Sequence, residues 1–178
     1  MTKESASEHV RILAVSLSSS GFGYAVMEGN NRLVGYGNMV IKEGKNARVV
    51  IHVDKIVTRY QPNVLVLQDM NAKGTHRHER IKKLHRSVVE IAKKRQIDLA
   101  KISGKDLRNA LLGNTVGTKQ EMAESLAQRF PDELASRMPR KRKAWTSEDS
   151  RMDIFDAVGM AVVFGVKGGL RRVGRMCP

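Results

Sequence analysis

The chain has 178 residues, 41% of them hydrophobic, and a formal net charge of +14. This length and apolar fraction predict a single folded domain and argue against disorder, and the charge predicts a polyanionic partner. One cysteine, Cys177, excludes a disulfide framework or a cysteine zinc site, and no run approaches the roughly 18 apolar residues that span a bilayer, so we expect a cytoplasmic protein with no membrane contact.

The first third of the chain predicts three antiparallel strands. Residues 10–17 and 21–27 are rich in Val, Ile, Leu and Tyr and are separated by a Ser/Gly turn, which indicates a hairpin. A third strand over residues 32–41 follows the turn at residues 29–31.

The middle of the chain alternates helices with short strands. Apolar residues recur at helical spacing from Val49 to Tyr60, and Pro62 ends that helix. The run VLVL at 64–67 predicts a strand that is covered on both faces. A long helix is predicted over about 75–95 and a further strand over 97–102. The predicted buried stripe of the long helix is Ile81, Leu84, Val88 and Ile91.

Two capping patterns mark helices in the last third. Thr118 and Glu121 form a T-x-x-E capping box, and Ser150 with Asp153 forms an S-x-x-D cap for a last helix that runs to about residue 166. The element order predicts an α/β domain over residues 10–166 with a mixed five-stranded sheet. We expect a flexible tail at 1–9 and a basic tail at 167–178.

Polar residues at the ends of these elements are the candidates for chemistry. Asp153 and Asp156 are three residues apart at a helix start, so both project from one face. Gln68 and Asp69 close a buried strand, and Ser16 closes the first strand. The simpler interpretation of the two aspartates is that they cap the helix and interact with its dipole.

Four ordered segments carry a resemblance to a known family. The sequence SLSSSGFGYAV, then PNVLVLQD, then NTVGTKQEMAESLAQRF and finally RMDIFDAVGMAV resembles the RuvC group of Holliday-junction resolvases, within the ribonuclease H-like nuclease superfamily, over about residues 10–166. The resemblance implies a ribonuclease H-like fold, a two-fold homodimer and a Mg²⁺ or Mn²⁺ cofactor if the protein is active. The family's four metal-binding acids fall on Ser16, Gln68, Asp153 and Asp156. Its lysine near the scissile phosphate falls on Lys119.

Neutral residues therefore stand at two of the four acid positions. Two-metal hydrolysis holds two dications about 3.5–4 Å apart, and carboxylates largely decide the Mg²⁺ affinity. With Ser16 and Gln68 in place of acids, we expect an impaired or degenerate nuclease centre. The alternative is an active Mg²⁺- or Mn²⁺-dependent, structure-selective endonuclease that uses Asp153, Asp156 and a displaced Asp69; Glu148 and Asp149 are reserve acids.

Basic residues cluster in two segments that predict contacts to a phosphate backbone. They lie on the outer face and flanks of the long helix and in a loop before the last helix. The predicted nucleic-acid-binding residues are Lys73, Arg77, Arg80, Lys83, Arg86, Lys119, Arg140, Lys141, Arg142 and Lys143. We expect backbone-dominated binding to branched or duplex DNA, with a structural role on structured RNA as a further alternative.

The resembled family carries an aromatic residue after its fourth strand that wedges a junction open, and residues 70–73, MNAK, hold none at that point. Trp145, which follows the second basic segment, either stacks on a base or packs the loop onto the domain. The latter is the expectation.

Overall fold

The computed structural model describes residues 10–29, 31–73, 75 and 77–167. It shows a five-stranded mixed sheet in the order β3-β2-β1-β4-β5. The strands are β1 (Arg11–Leu17), β2 (Gly21–Glu28), β3 (Arg32–Val40), β4 (Val64–Gln68) and β5 (Asp98–Ile102). The predicted α/β fold and all five predicted strands are confirmed. The predicted tails lie outside the described residues, apart from Lys167.

The register of β1 brings two candidate residues to one edge. The strand pairs antiparallel with β2 and parallel with β4, with Val15 opposite Leu67. One residue further along, Ser16 and Gln68 therefore end neighbouring parallel strands at the same edge of the sheet, where α/β folds usually place their sites.

Helices cover both faces of the sheet. They are α1 (Lys45–Tyr60), α2 (Glu79–Lys94), α3 (Gly104–Leu112), α4 (Lys119–Arg129), α5 (Pro131–Leu134) and α6 (Met152–Val166). Residues alternate along β1, so that Leu13 and Val15 pack with α1 and α2, whereas Ile12 and Ala14 pack with α3, α4 and α6. Within the described residues, no helix is both long and apolar enough to cross a membrane.

The long central helix starts later than its sequence pattern predicts. The predicted stripe of Ile81, Leu84, Val88 and Ile91 is buried as expected. However, α2 begins at Glu79 rather than near Thr75, because His78 has an extended backbone at φ −60° and ψ 149°. Arg77 thus lies ahead of the helix rather than within it.

The two predicted helix caps have different outcomes. The capping box of Thr118 and Glu121 forms with both of its hydrogen bonds. The prediction of an S-x-x-D cap at Ser150 and Asp153 is wrong, because α6 begins at Met152 without any side-chain cap. Ser150 contributes only its carbonyl oxygen, which accepts a hydrogen bond from the Asp153 amide. The carboxylate of Asp153 is thereby left for a tertiary contact.

Gly23 allows α6 to approach the sheet closely. This residue of β2 lies opposite Ser16, and a Cβ atom built on it would lie 2.2 Å from the carbonyl oxygen of Asp153. Real Cβ contacts are essentially never so short, and the two nearest obstructing atoms, the carbonyl oxygen and carbon of Asp153, are backbone. The first turn of α6 can therefore rest on the end of the sheet only because position 23 has no side chain.

Gly23→Ala is expected to destabilise the protein by about 1–3 kcal/mol, because the added methyl must push the first turn of α6 away from β2. Urea unfolding monitored by circular dichroism measures the change. The matched control is Gly104→Ala at the start of α3, where the nearest atom to a new Cβ is 3.5 Å away on the flexible side chain of Arg108. Equal stability of the two variants would contradict the close-packing argument.

Candidate functional site

The candidate site lies where the ends of β1 and β4 meet the first turn of α6. Ser16 and Gln68 project from the sheet on the face that carries α6, because they share the alternation of Ile12, Ala14 and Val66. Asp153 and Asp156, near the start of α6, lie at the same edge of the sheet. The fold thus brings together all four positions at which the resemblance places acids.

Asp153 is a buried acid with one direct hydroxyl partner. It is 7% exposed, and its Oδ2 accepts a hydrogen bond of 2.7 Å from Ser18 Oγ. Burial raises the pKa of Asp153 to about 6; the hydrogen bond from Ser18 opposes this shift, and the nearby charge of Asp156 adds to it. The carboxylate is therefore held in an environment that disfavours its charge.

Asp156 is paired with the lysine that begins α4. Lys119 Nζ lies 2.9 Å from Asp156 Oδ2 and 3.0 Å from Glu148 Oε1. Burial raises the pKa of Asp156 although Lys119 counteracts it. For Lys119, burial disfavours the charged form, but the carboxylates of Asp156 and Glu148 outweigh it and raise the pKa. The ammonium group therefore stays charged between two acids.

A second cation reaches the site from the segment before α2. Arg77 Nη2 donates to Gln68 Oε1 at 2.8 Å, and the charge of Arg77 also lowers the pKa of Asp156 against the effect of burial. The buried ring of His85 lies on the other side of the same strand end, 3.1 Å from the Gln68 carbonyl oxygen. Since a guanidinium has five N–H donors, Arg77 retains donors beyond this amide contact.

Cations also hold the turn between β1 and β2. Arg80 donates to the Ser19 carbonyl at 3.1 Å and to Asn46 Oδ1 at 2.9 Å, and Lys45 donates to the same Ser19 carbonyl at 3.1 Å. The turn closes on itself through Ser18 and Gly21. These contacts fix the hydroxyl of Ser18 against Asp153.

The other acids that the sequence offered as metal ligands, Asp69, Glu148 and Asp149, lie in different places in the structure. Asp69 Oδ1 accepts from the Asn71 amide at 3.0 Å, and Asp69 follows the alternation of Leu65 and Leu67 toward the opposite face, so the structure does not bring it to Asp153 and Asp156. Asp149 pairs with Arg151 at 2.6 Å. Glu148 alone reaches the site, through Lys119.

The donor set does not fit a pair of divalent cations. Over the ranges that the structure describes, no three His, Cys, Asp or Glu side chains are arranged to hold a metal ion. Asp153 is partnered by a hydroxyl and Asp156 by an ammonium group, whereas Mg²⁺ is bound mainly through free carboxylates and water.

The predicted basic residues divide into two groups. Arg77, Arg80 and Lys119 lie around the site rather than on an outer helix face, which corrects the predicted placement of Arg77 and Arg80. The reason is that α2 begins after Arg77 and that Arg80 turns toward the β1–β2 turn. The others are exposed: Lys73, Lys83, Arg86, Arg140, Lys141, Arg142 and Lys143.

Trp145 does not pack the basic loop onto the domain, contrary to expectation. Its side chain is 82% exposed, in the irregular segment between the short 3₁₀ turn at Ala135–Arg137 and α6. The surrounding residues 140–148 are exposed as well, so this loop lies open to solvent.

Sequence reasoning missed Ser18 and the contact between Arg77 and Gln68. Ser18 has the same parity as Ser16, which was a usable signal that both face α6. The link from Arg77 to Gln68 had no such signal, because it depends on α2 beginning after Arg77.

The described fold is similar to solved nucleases. RuvC from Thermus thermophilus superposes with a TM-score of 0.65 at 12% identity, over 89% of this chain and 96% of that one, and another structure of it holds a Holliday-junction substrate. The yeast mitochondrial Holliday junction resolvase Ydc2 gives 0.58 at 14% identity, over 88% and 78%. The nuclease domain of the terminase subunit gp2 of bacterial virus Sf6, solved with manganese, gives 0.52 at 10% identity, over 86% and 87%.

No family model and no curated protein matches the sequence. At identities of 10–14%, the solved structures establish the architecture. The chain has the RuvC-like, ribonuclease H-like nuclease fold that the sequence resemblance predicts.

Asp153→Asn is expected to stabilise the protein by about 2 kcal/mol at pH 7.5. The pKa of Asp153 is about 6 when folded against an ordinary value of 3.8, so ionisation opposes folding above pH 6. As the pH falls from 6 toward 4 the native carboxyl takes up its proton, and the advantage of the variant disappears. Thermal unfolding of both proteins from pH 4 to pH 8 measures the difference.

Asp149→Asn is the matched control, with the opposite sign. The hydrogen bond from Arg151 lowers the pKa of Asp149, so its charge favours folding at neutral pH and the amide is expected to destabilise. The burial argument for Asp153 fails if both amide variants shift the unfolding temperature in the same direction.

Proposed function

We propose that this chain, which has the RuvC-like nuclease fold, binds the backbone of branched or duplex DNA and that its nuclease centre is impaired. The observation that most directly supports this proposal is the pairing of Lys119 with Asp156 at 2.9 Å and of Arg77 with Gln68 at 2.8 Å. Side-chain cations thus stand among the groups that would otherwise be left to bind divalent ions.

The charge around the site supports binding of phosphate groups. Lys119 pairs with Asp156 and Glu148, Arg77 contacts Gln68, and Lys45 and Arg80 hold the Ser19 carbonyl in the neighbouring turn. Among the contacts that the structure describes, Lys119 alone forms ion pairs with Asp156 and Glu148. A phosphodiester that reaches this edge can therefore accept hydrogen bonds from guanidinium groups that are already oriented by neutral acceptors.

The outer basic residues extend this surface. Lys83 and Arg86 lie on the exposed side of α2, and residues 140–143 form the exposed loop before α6. Contacts of this type fix the protein on a backbone without reading bases, so selection depends on shape and affinity on salt.

An active endonuclease is the second candidate function, and Glu148 is the observation that favours it. Its carboxylate is a third acid beside Asp153 and Asp156, and it would take the role that the sequence predicted for Asp69. For Mg²⁺ or Mn²⁺ to be held there, Lys119 would have to leave its two carboxylate partners. Structured RNA as the ligand, a homodimer and a cytoplasmic location remain predictions from sequence.

Arg77→Gln and Lys119→Gln are each expected to weaken binding to DNA of any sequence, because each removes one cation at the backbone. The slope of log K against log salt should become shallower by about 0.9 for each lost phosphate contact. Fluorescence anisotropy with a labelled four-way junction and a labelled duplex, at several salt concentrations and with EDTA present, measures both quantities.

Arg32→Gln is the matched control for these variants. Arg32 begins β3 at the far end of the sheet, where it pairs with Glu28 at 3.3 Å. We expect it to leave the affinity nearly unchanged. Wild-type binding that strictly requires Mg²⁺, or an equal loss of DNA affinity in all three variants, would contradict metal-independent binding of the DNA backbone at this edge of the sheet.

The double variant Ser16→Asp/Gln68→Glu is expected to bind divalent metal where the wild-type chain does not. Two added acids beside Asp153 and Asp156 repel one another until a dication enters. Mg²⁺ or Mn²⁺ at about 100 times its dissociation constant should then stabilise this variant by about 2.7 kcal/mol. Thermal unfolding with and without metal checks this.

Gln61→Glu/Ser87→Asp makes the same change in charge at exposed positions and should show no such stabilisation by metal. Cleavage of a labelled junction by the wild-type protein in Mn²⁺, abolished by Asp153→Asn, would overturn the impaired centre. It would establish the endonuclease instead.

A further inference from the structure

The structure leaves one large aromatic side chain open to solvent. The chain contains four Phe, three Tyr and one Trp, and all eight lie in the described residues. The Phe and Tyr side chains are buried or partly buried in the two core clusters. Only the indole of Trp145, at 82%, has an exposed ring.

A closed turn holds Trp145 at its tip. The Thr146 amide and the Thr146 hydroxyl both donate to the Lys143 carbonyl, at 3.1 and 2.9 Å. Arg142 Nε also donates to the Thr146 carbonyl at 2.7 Å. Ala144 and Trp145 are therefore the two central residues of a hydrogen-bonded turn, which presents the indole outward.

Basic residues precede the indole on its loop, and one of them lies beside its ring. Lys143 Nζ lies 5.8 Å from the centroid of the ring, and Arg140 and Lys141 come before it on the exposed loop. A single exposed apolar side chain is common on protein surfaces, and what distinguishes Trp145 is the positive charge that accompanies it. An aromatic face beside positive charges suits a stacked nucleobase whose own phosphates lie nearby.

The turn is also close to the site. Glu148, which contacts Lys119, is three residues after Trp145, so the two Cα atoms are at most about 11 Å apart. That distance equals about three base steps along one strand. The loop after β4 contains no Phe, Tyr or Trp, and its Met70 packs partly against the core.

We propose that Trp145 stacks on an unpaired or unstacked nucleobase at a branch point while the sheet edge holds the adjacent backbone. This rests on the proposed binding of nucleic acid and deepens it by naming the element recognised. Intact duplex offers no free base face, so the contact favours branched or single-stranded DNA over continuous duplex.

Trp145→Ala tests this, with Trp145→Phe as the conservative variant. Anisotropy at one salt concentration compares a four-way junction, a single strand and a duplex of matched length. We expect the alanine variant to lose roughly 5- to 150-fold affinity for the junction and the single strand but less than twofold for the duplex. The phenylalanine variant should recover most of the loss. Because the side chain is exposed, thermal unfolding should be unchanged.

Indole fluorescence supplies an independent readout, since Trp145 is the single tryptophan. Stacking should quench its emission on the junction and the single strand but not on the duplex. Lys143→Gln is the charge control, and it should weaken binding to all three ligands alike. Equal losses for all ligands in the alanine variant, or emission that does not respond to the junction, would overturn the stacking role. Wild-type protein that binds none of the three would instead overturn the proposed function.

Discussion

The structure depends on the close contact between the first turn of α6 and the end of the sheet. Gly23 removes the side chain that would separate them, and α6 is buried along nearly its whole length. This contact carries Asp153 and Asp156 into a poorly solvated place where their charge is costly. A buried carboxylate needs a compensating group, and here a hydroxyl and an ammonium group meet that need. The neutral residues at Ser16 and Gln68 are consistent with this arrangement, because they add no further negative charge to a poorly solvated place.

Under the proposed function, this architecture would allow the protein to bind a nucleic-acid backbone although its metal centre is impaired. In α/β folds the strand ends form the site, whereas the basic helices and loops around them set the affinity for a polyanion. Metal chemistry and backbone binding would thus depend on different residues. Arg77 is the exception, since its contact with Gln68 places a guanidinium at the strand end itself. Under the proposed function, the strand ends would bind a phosphate group and the loop of residues 140–147 would provide a second contact.

Local sequence patterns predicted the fold well and the site in part. Hydrophobic alternation and the Thr118–Glu121 capping box depend on neighbours in the chain, and the structure confirms the five strands, the buried stripe of α2 and that cap. The predicted Ser150–Asp153 cap and the predicted packing of Trp145 are wrong. The carboxylate of Asp153 makes a tertiary contact with Ser18 instead of capping the helix, and the side chain of Trp145 is 82% exposed.

Composition and hydrophobic periodicity were sufficient to predict the α/β class, the order of the elements and the positive charge, because the spacing of apolar residues within each element reports its type. The resemblance to the RuvC group supplied the four positions Ser16, Gln68, Asp153 and Asp156. Which cations meet those residues depends on tertiary packing. Lys119 and Asp156 are 37 positions apart, and Arg77 reaches Gln68 only because α2 starts at Glu79. Such pairings depend on where separate elements pack, and no periodicity within the chain encodes that distance.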